Sequence, residues 1–248
     1  MSASRHSWPE GVGRIVLPQT DSTMKEAARV AASSPFPQWI LALDQTAGHG
    51  RRGRPWTMPK GNFAATLVMF PNEAAAQIAL RSFVASLALF DAVADVTGRS
   101  DMLALKWPND VLLNGGKFAG ILLERGANHL SIGIGANLAA APPVSDVEPS
   151  PFPPVSLNAE ASVQATPEEF LDALAPAYAH WEAQFVTYGF NPIRTAWLAR
   201  AAKLGQPIRA RTTQEEHHGT FEDVDADGNL VLRQSAGTLS IPAAEVFF

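Results

Sequence analysis

Three arginines, Arg51, Arg52 and Arg54, stand among three glycines, Gly48, Gly50 and Gly53, in the stretch 44–56, which closes on Trp56. Guanidinium forks carry a permanent charge and match the two-oxygen geometry of carboxylate and phosphate. Glycines permit positive φ and bring backbone amides close to a ligand. Such a loop suits an anion, although many charge runs are only solvated surface. The glycine spacing also satisfies Gly-x-Gly-x-x-Gly, the dinucleotide fingerprint, but that motif needs a helix directly after the turn. Pro55 and Pro59 oppose one.

A second group of chemistry-bearing residues lies at 103–124. Lys106, Asn109 and Asp110 flank Pro108, and Lys117 sits in an apolar, glycine-flanked strand. A charge there is costly unless paired, and an anionic ligand would supply the partner. Asn109 and Asp110 can cap the turn after Pro108. Alternatively, Asp110 can hold a metal, since magnesium commonly takes one carboxylate plus phosphate oxygens. Further along, 133–137 reads Gly-Ile-Gly-Ala-Asn at a strand end. Near the start, Ser22 and Thr23 open a helix, where hydroxyls and free amides either cap the first turn or cradle a polar ligand.

These groups need elements to hold them. Residues 14–17 read as a strand, and Thr23 with Glu26 fits a capping box for a helix running to about Ala32. Residues 39–43 form a strand leading into the arginine loop, and 62–70 are apolar on both faces, as in a buried central strand. An alanine- and leucine-rich helix is expected over 73–97, stopped by Gly98, and long enough, at about 37 Å, to cover a sheet face. Asn114-Gly115-Gly116 marks a hairpin between strands at 111–113 and 117–124, and a third strand occupies 129–135. Short turns between these strands predict an antiparallel meander, not a doubly wound sheet. The proline-rich stretch 138–165 reads as a long irregular loop, of the kind that forms lids. Thr166-Pro167-Glu168-Glu169 opens a helix towards Tyr188 with a possible irregularity at Pro176, and a second helix runs from Asn191-Pro192 to Gly205. Short strands at 207–211, 219–224, 229–233 and 238–241 then make a small β domain.

Bulk properties narrow the function. The chain has 248 residues, 46% hydrophobic and 17% charged, with a formal net charge of −5. That balance supports a globular core and argues against general nucleic-acid affinity, so the arginine loop is a local positive spot suited to a small anion. With no cysteine, disulfides, thiolate catalysis and cysteine-bound metals are excluded. The six histidines contain no His-x-x-x-His pair, and His217-His218 reads as an exposed loop pair. No uninterrupted apolar run reaches about 18 residues and no signal segment is visible, so a cytoplasmic protein without a membrane role is expected. Residues 1–13 are polar and expected to fray.

In order along the chain, the segments 21–23, 48–56, 106–110, 117–122 and 133–137 resemble the biotin protein ligases, and the likeness covers nearly the whole sequence. The resemblance implies an α+β fold with a mixed, largely antiparallel sheet flanked by helices, as in class II synthetase-like biotin and lipoate ligases. It also implies an SH3-like C-terminal β-barrel, dividing the chain into 1–203 and 204–248. The implied activity uses biotin and ATP, with Mg2+, to form biotinyl-5′-AMP, and then biotinylates one lysine of a biotin carboxyl carrier protein. Ser22, Thr23 and Gln45 would contact the biotin ureido group and ring, with Met24, Gly48, Gly133 and Gly135 around them. His49, Gly50 and Arg51 would close over biotin and phosphate, and Lys117 would bridge the biotin carboxylate and α-phosphate. Trp56 and Asn137 would meet adenine, and Arg52, Arg54, Lys106 and Asn109 the rest of the nucleotide. Asp110 would place metal or deprotonate the acceptor lysine, making Lys117, Arg51 and Asp110 the catalytic set. His49 replaces the family's usual arginine, and Met24 a frequent asparagine. A monomer or weak homodimer without an N-terminal DNA-binding domain is expected. The rival readings are an ATP-dependent lipoate ligase and a non-catalytic biotinyl-AMP-binding module.

Overall fold

The stretch expected to be buried on both faces lies where such a strand must, in the middle of a sheet. The computed structural model describes residues 7–147, 151–242 and 244–248. Strands β1 (Gly13–Leu17), β2 (Gln38–Ala42), β3 (Phe63–Met69), β4 (Leu103–Lys106), β5 (Asp110–Leu113), β6 (Gly116–Arg125) and β7 (Leu130–Ala136) form one sheet in the order β1-β2-β3-β7-β6-β5-β4. Only β1 and β2 run parallel, joined by the crossover helix α1 (Thr23–Ala31); the remaining pairs are antiparallel. The β5–β6 hairpin turns on Asn114 (φ 47°) and Gly115 (φ 80°), the positive-φ pair a tight twisted hairpin needs.

Strand alternation sorts the two faces. Phe63, Ala65 and Leu67 of β3 and Leu130, Ile132 and Ala136 of β7 join the main core under the helices α3 (Arg81–Thr97), α5 (Pro167–Tyr188) and α6 (Phe190–Leu198). The opposite face takes α1 at one end, where Ala27 and Ala31 meet Ile40 and Val68. On the same alternation Gly133 and Gly135 face away from the main core and line a cavity. Helix α5 begins with the expected capping box: Thr166 Oγ1 accepts from the Glu169 amide at 3.1 Å, and Glu169 Oε2 accepts from the Thr166 amide at 2.9 Å. Pro176 lies inside it.

A second sheet holds β8 (Pro207–Arg211), β9 (Glu216–Val224), β10 (Leu230–Gln234), β11 (Gly237–Ile241) and β12 (Glu245–Phe247), ordered β11-β10-β9-β8-β12 and antiparallel throughout. Both sheets share one continuous core.

Several expectations need correcting. The helix expected over 73–97 starts at Ala75 and is split into α2 (Ala75–Ala79) and α3, because Leu80 bonds back three residues to Gln77, tightening the turn. That junction sets Arg81 in the interior, ion-paired with Glu73 and Glu182, both at 2.8 Å. The Ala75–Thr97 stretch is long and apolar enough to cross a bilayer, and it lies mostly buried inside the fold. No capping box forms at Thr23: Ser22 is the N-cap, Glu26 turns to Arg29, and the Thr23 hydroxyl points inward. Helix α6 stops at Leu198, after which the chain extends along β4, donating Ala202 N–H to Leu105 and accepting the Leu105 N–H at Arg200. The 138–165 stretch, of which 148–150 lie outside the described residues, contains a 3-10 turn (Val144–Asp146) and helix α4 (Leu157–Ala161). His217 and His218 belong to strand β9, not a loop. Strand β12 went unread because three residues are too few to show a period. Residues 1–6 of the expected frayed leader are outside the described residues.

Candidate functional site

A cavity of about 530 Å³ opens on the face of the large sheet opposite the main core, and Arg51 and Lys117 both line it. The chain's two separate positive segments therefore meet. The glycine-paved floor explains why there is room: Gly120 of β6 is paired with Gly135 of β7, and neither fills the space above the backbone. A Cβ on Gly135 would lie 2.4 Å from Trp56 Cε2, and one on Gly120 would lie 3.3 Å from Trp56 Cζ3. The Trp56 ring thus packs on bare β6 and β7 backbone, with the Lys117 ammonium 5.9 Å from its centroid.

At the inner end, Thr23 donates its hydroxyl to Gln45 Oε1 at 3.1 Å and accepts from the Thr66 hydroxyl at 2.8 Å, while its amide also donates to Gln45 Oε1 at 2.9 Å. Thr23 and Gln45 are a mutually fixed pair. Gly48 makes this possible, since a Cβ there would come within 2.2 Å of Gln45 Nε2. Ser22 Oγ is different: it is buried, lines the cavity and has no hydrogen-bond partner among the described residues. A buried hydroxyl left unpaired is costly, and a ligand that pairs it recovers that cost. Met24 and Gly133 complete this end.

The centre is an ionic array. Asp110, at the start of β5, faces Lys117 Nζ at 2.7 Å through one oxygen and Lys106 Nζ at 3.3 Å through the other. Burial pushes the Asp110 carboxyl up, but the Lys117 and Lys106 ammoniums outweigh it and hold it below the ordinary carboxylate value. Lys106 is itself buried, with its ammonium 4.9 Å from the centroid of the Phe152 ring. Asn109 exchanges two hydrogen bonds with Ile121 of β6 and accepts one from Arg51 Nη1 at 3.3 Å, tying the arginine loop to the array. Burial pulls the Arg51 guanidinium below the ordinary arginine value, with Asp110 opposing; arginine stays charged all the same.

The outer end holds Arg52, Arg54, Phe152 and residues of β12. Arg52 takes φ 59°, bending the loop inward. Arg54 pairs with Glu245 of β12 at 3.5 Å, and Glu245 also meets Arg211 at 3.0 Å. His49 Nε2 lies 3.1 Å from Glu124 Oε1 on β6. Lys117 exchanges backbone hydrogen bonds with Pro153 and Val155, so the proline-rich strap runs beside the lysine. Sequence reasoning missed Phe152, the strap's pairing and Glu245; a lone aromatic among prolines was the available signal for the first.

Two expected roles meet resistance. Asn137 lines the cavity, yet its amide donates to the Val155 carbonyl at 3.0 Å and its oxygen accepts from Asn62 at 3.3 Å, so its polar atoms position the strap. The metal role expected of Asp110 would require its carboxylate to release one of the two lysines that its oxygens face.

Residues 16–137 match the Biotin/lipoate A/B protein ligase family, and residues 203–248 match the Biotin protein ligase C terminal domain. The chain is 56% identical over 238 residues to the biotin--[acetyl-CoA-carboxylase] ligase of Paracoccus denitrificans, covering 94% of this chain and 99% of that protein. It is 29% identical to the Mycobacterium tuberculosis enzyme of the same name, covering 93% of this chain and 87% of the other. Among solved structures, the biotin protein ligase of Aquifex aeolicus in complex with biotin and ATP superposes with a TM-score of 0.83 at 21% identity, over 95% of this chain and 98% of that one. That last likeness speaks to the fold.

Proposed function

Since the chain belongs to the biotin protein ligase family, we propose that its cavity joins biotin to ATP where Lys117 and Arg51 meet. The activity is that of an ATP-dependent biotin--[acetyl-CoA-carboxylase] ligase. One observation carries the placement of the chemistry. A buried, unpartnered hydroxyl (Ser22) and a cluster of cations (Lys117, Lys106, Arg51) occupy the same cavity. Biotin is built the same way, with a cyclic urea at one end and a carboxylate at the other.

In the first step a biotin carboxylate oxygen attacks the α-phosphorus. The new P–O bond forms as the bond to the bridging oxygen breaks, and pyrophosphate leaves with the electron pair. Two anions must approach, so Lys117 and Arg51 offset the mutual repulsion and hold the reacting atoms in line. Because Lys117 already leans on Asp110, it is preorganised rather than recruited. Arg52 and Arg54 face the departing pyrophosphate. ATP enters with its magnesium held by phosphate oxygens, and no residue of this chain is assigned to the ion. In the second step the neutral amine of the acceptor lysine attacks the acyl carbon; the C–N bond forms as the acyl C–O bond breaks, AMP leaves with that electron pair, and the surplus amine proton passes to solvent. Asp110, held ionised below the usual carboxylate range, acts there by charge, keeping Lys117 and Lys106 in place.

Trp56, packed on Gly120 and Gly135, forms part of the cavity wall, which supports a role for its ring in holding the acyl-adenylate. The same reading has a 1–203 catalytic part, a 204–248 unit, a cytoplasmic monomer or weak homodimer, and a carrier protein as the macromolecular partner. The test is pyrophosphate release with ATP, magnesium and either biotin or lipoate. We expect release with biotin alone and a loss of at least ~100-fold in Lys117→Ala, the scale of removing a key charge-stabilising donor. Release with lipoate only, or tight biotinyl-AMP binding without turnover, would overturn the assignment.

A further inference from the structure

We infer that Met24 and Gly133 form a matched plug that decides which ring systems the inner end of the cavity admits. The inference deepens the reading above, since it takes that end to hold the fused ring of biotin. Met24 lies in the first turn of α1 and is only 6% exposed. Gly133 lies on the cavity face of β7, where a Cβ would sit 2.6 Å from Met24 Sδ and 3.1 Å from its Cγ. Met24 therefore occupies the space that a side chain at 133 would fill. The arrangement repeats two residues on, where Trp56 fills the space over Gly135. Two side chains from distant segments thus supply the wall that β7 leaves bare.

The two fillers differ in kind. Trp56 is a rigid plate, whereas methionine is unbranched and polarisable and adapts to what lies against it. The neighbouring polar groups are largely disposed: Thr23 is fixed on Gln45 Oε1, and Ser22 Oγ has no partner among the described residues. Met24 supplies no hydrogen bond, so its contribution is shape against the apolar side of a small fused ring. It discriminates by bulk, while Ser22 reads the urea.

The test compares biotin with biotin sulfone, which adds two oxygens to the ring sulfur, in wild type, Met24→Ala, Gly133→Ala and the double variant. The readout is kcat/KM for pyrophosphate release, with binding measured by calorimetry. Shortening a pocket wall by a few heavy atoms shifts discrimination by roughly 10–200-fold. Met24→Ala should therefore lower the biotin-to-sulfone ratio at least ~10-fold, mainly through KM. Gly133→Ala should push Met24 into the cavity and raise the KM for biotin about 10-fold or more, and adding Met24→Ala should recover most of that loss. A ratio unchanged in Met24→Ala, or additive losses in the double variant, would overturn the plug. Should Met24→Ala not fold, Met24→Val carries the same test, because it removes part of the bulk at a smaller packing cost; a ratio within ~2-fold of wild type would count against the proposal. Failure of the parent reading looks different, as wild type would then release no pyrophosphate with biotin.

Discussion

Replacing Asp110 by asparagine removes one negative charge from between two lysines. At 2.7 Å from Lys117 and 3.3 Å from Lys106, the two attractions come to roughly 6 and 5 kcal/mol gross at an effective dielectric of about 20. Neither figure survives intact, because burying three charged groups costs most of it. Lys117 is also 35% exposed on its side chain, so water screens its share. Removing one partner of a buried array typically costs about 3–5 kcal/mol, because the remaining charges are stranded. We expect a loss of this size at pH 7 by urea unfolding. The pH dependence has a definite sign. The folded carboxyl lies below its ordinary value, so its stabilisation is present above the unfolded value, about 3.9, and is lost as pH falls through the folded one. The gap between wild type and Asp110→Asn should thus be full at neutral pH and narrow in acid. Saturating ATP should narrow it too, as phosphate replaces the missing carboxylate. A variant within about 0.5 kcal/mol of wild type at pH 7 would refute the argument. So would a limb in the wild-type transfer rate between pH 5 and 8 that disappears in Asp110→Asn, since that would make Asp110 a base.

Three further outcomes follow from other contacts. Gly135→Ala drives a Cβ to within 2.4 Å of Trp56, so the ring must leave its floor; indole fluorescence should change and pyrophosphate release should fall at least ~10-fold. Glu245→Ala separates β12 from Arg54 and Arg211 and should raise the KM for ATP several-fold. Its unfolding free energy should move by no more than about 1 kcal/mol, because these pairs are largely exposed. Glu124→Gln weakens the His49 contact that pins the arginine loop to β6, so trypsin should cut at Arg51 and Arg52 faster than in wild type. Biotin with ATP should restore protection, and equal cleavage with and without ligands would count against loop closure.

The sheet was legible because its signals are local. Asn114-Gly115 fixes a hairpin, Gly98 stops a helix with φ 70°, and Thr166 with Glu169 caps one, each by short-range chemistry that tertiary packing had no reason to override. Where the sequence misled, packing had outbid local preference. Thr23 has the right spacing for a capping box, but its hydroxyl is worth more inside, between Gln45 and Thr66. Leu80 interrupts a run of good helix formers because the turn there sets Arg81 between two glutamates. Within the site, residue types were readable but pairings were not. Lys106, Asp110 and Lys117 were each visible as charges, whereas their shared array depends on the β5–β6 register and a bulge between Val111 and Leu112. Glu245 gave no pattern, and Phe152 only a lone aromatic among prolines, since their partners lie in other parts of the chain.

An acidic chain can hold a polyanion because its cations are prepared in two different ways. Lys106 and Lys117 are neutralised in advance by one carboxylate, which keeps two ammoniums close without mutual repulsion and without freedom to wander. Arg52 and Arg54 sit instead on a loop bent by positive φ at Arg52 and Gly53, which Asn109, Glu124 and Glu245 tie to the rest of the fold. The first set is rigid and suits the atoms that must be aligned for attack; the second can move and suits a leaving group that must later depart. A site built wholly of the first kind would hold pyrophosphate too long. One built wholly of the second would lose the in-line geometry on which the acceleration depends. On this division, stiffening the loop, for example by Gly53→Ala at φ 71°, should impair product release or loop folding before it touches the chemical step. Single-turnover and steady-state rates would separate the two, and an equal fall in both would show that the loop does its work in the transition state.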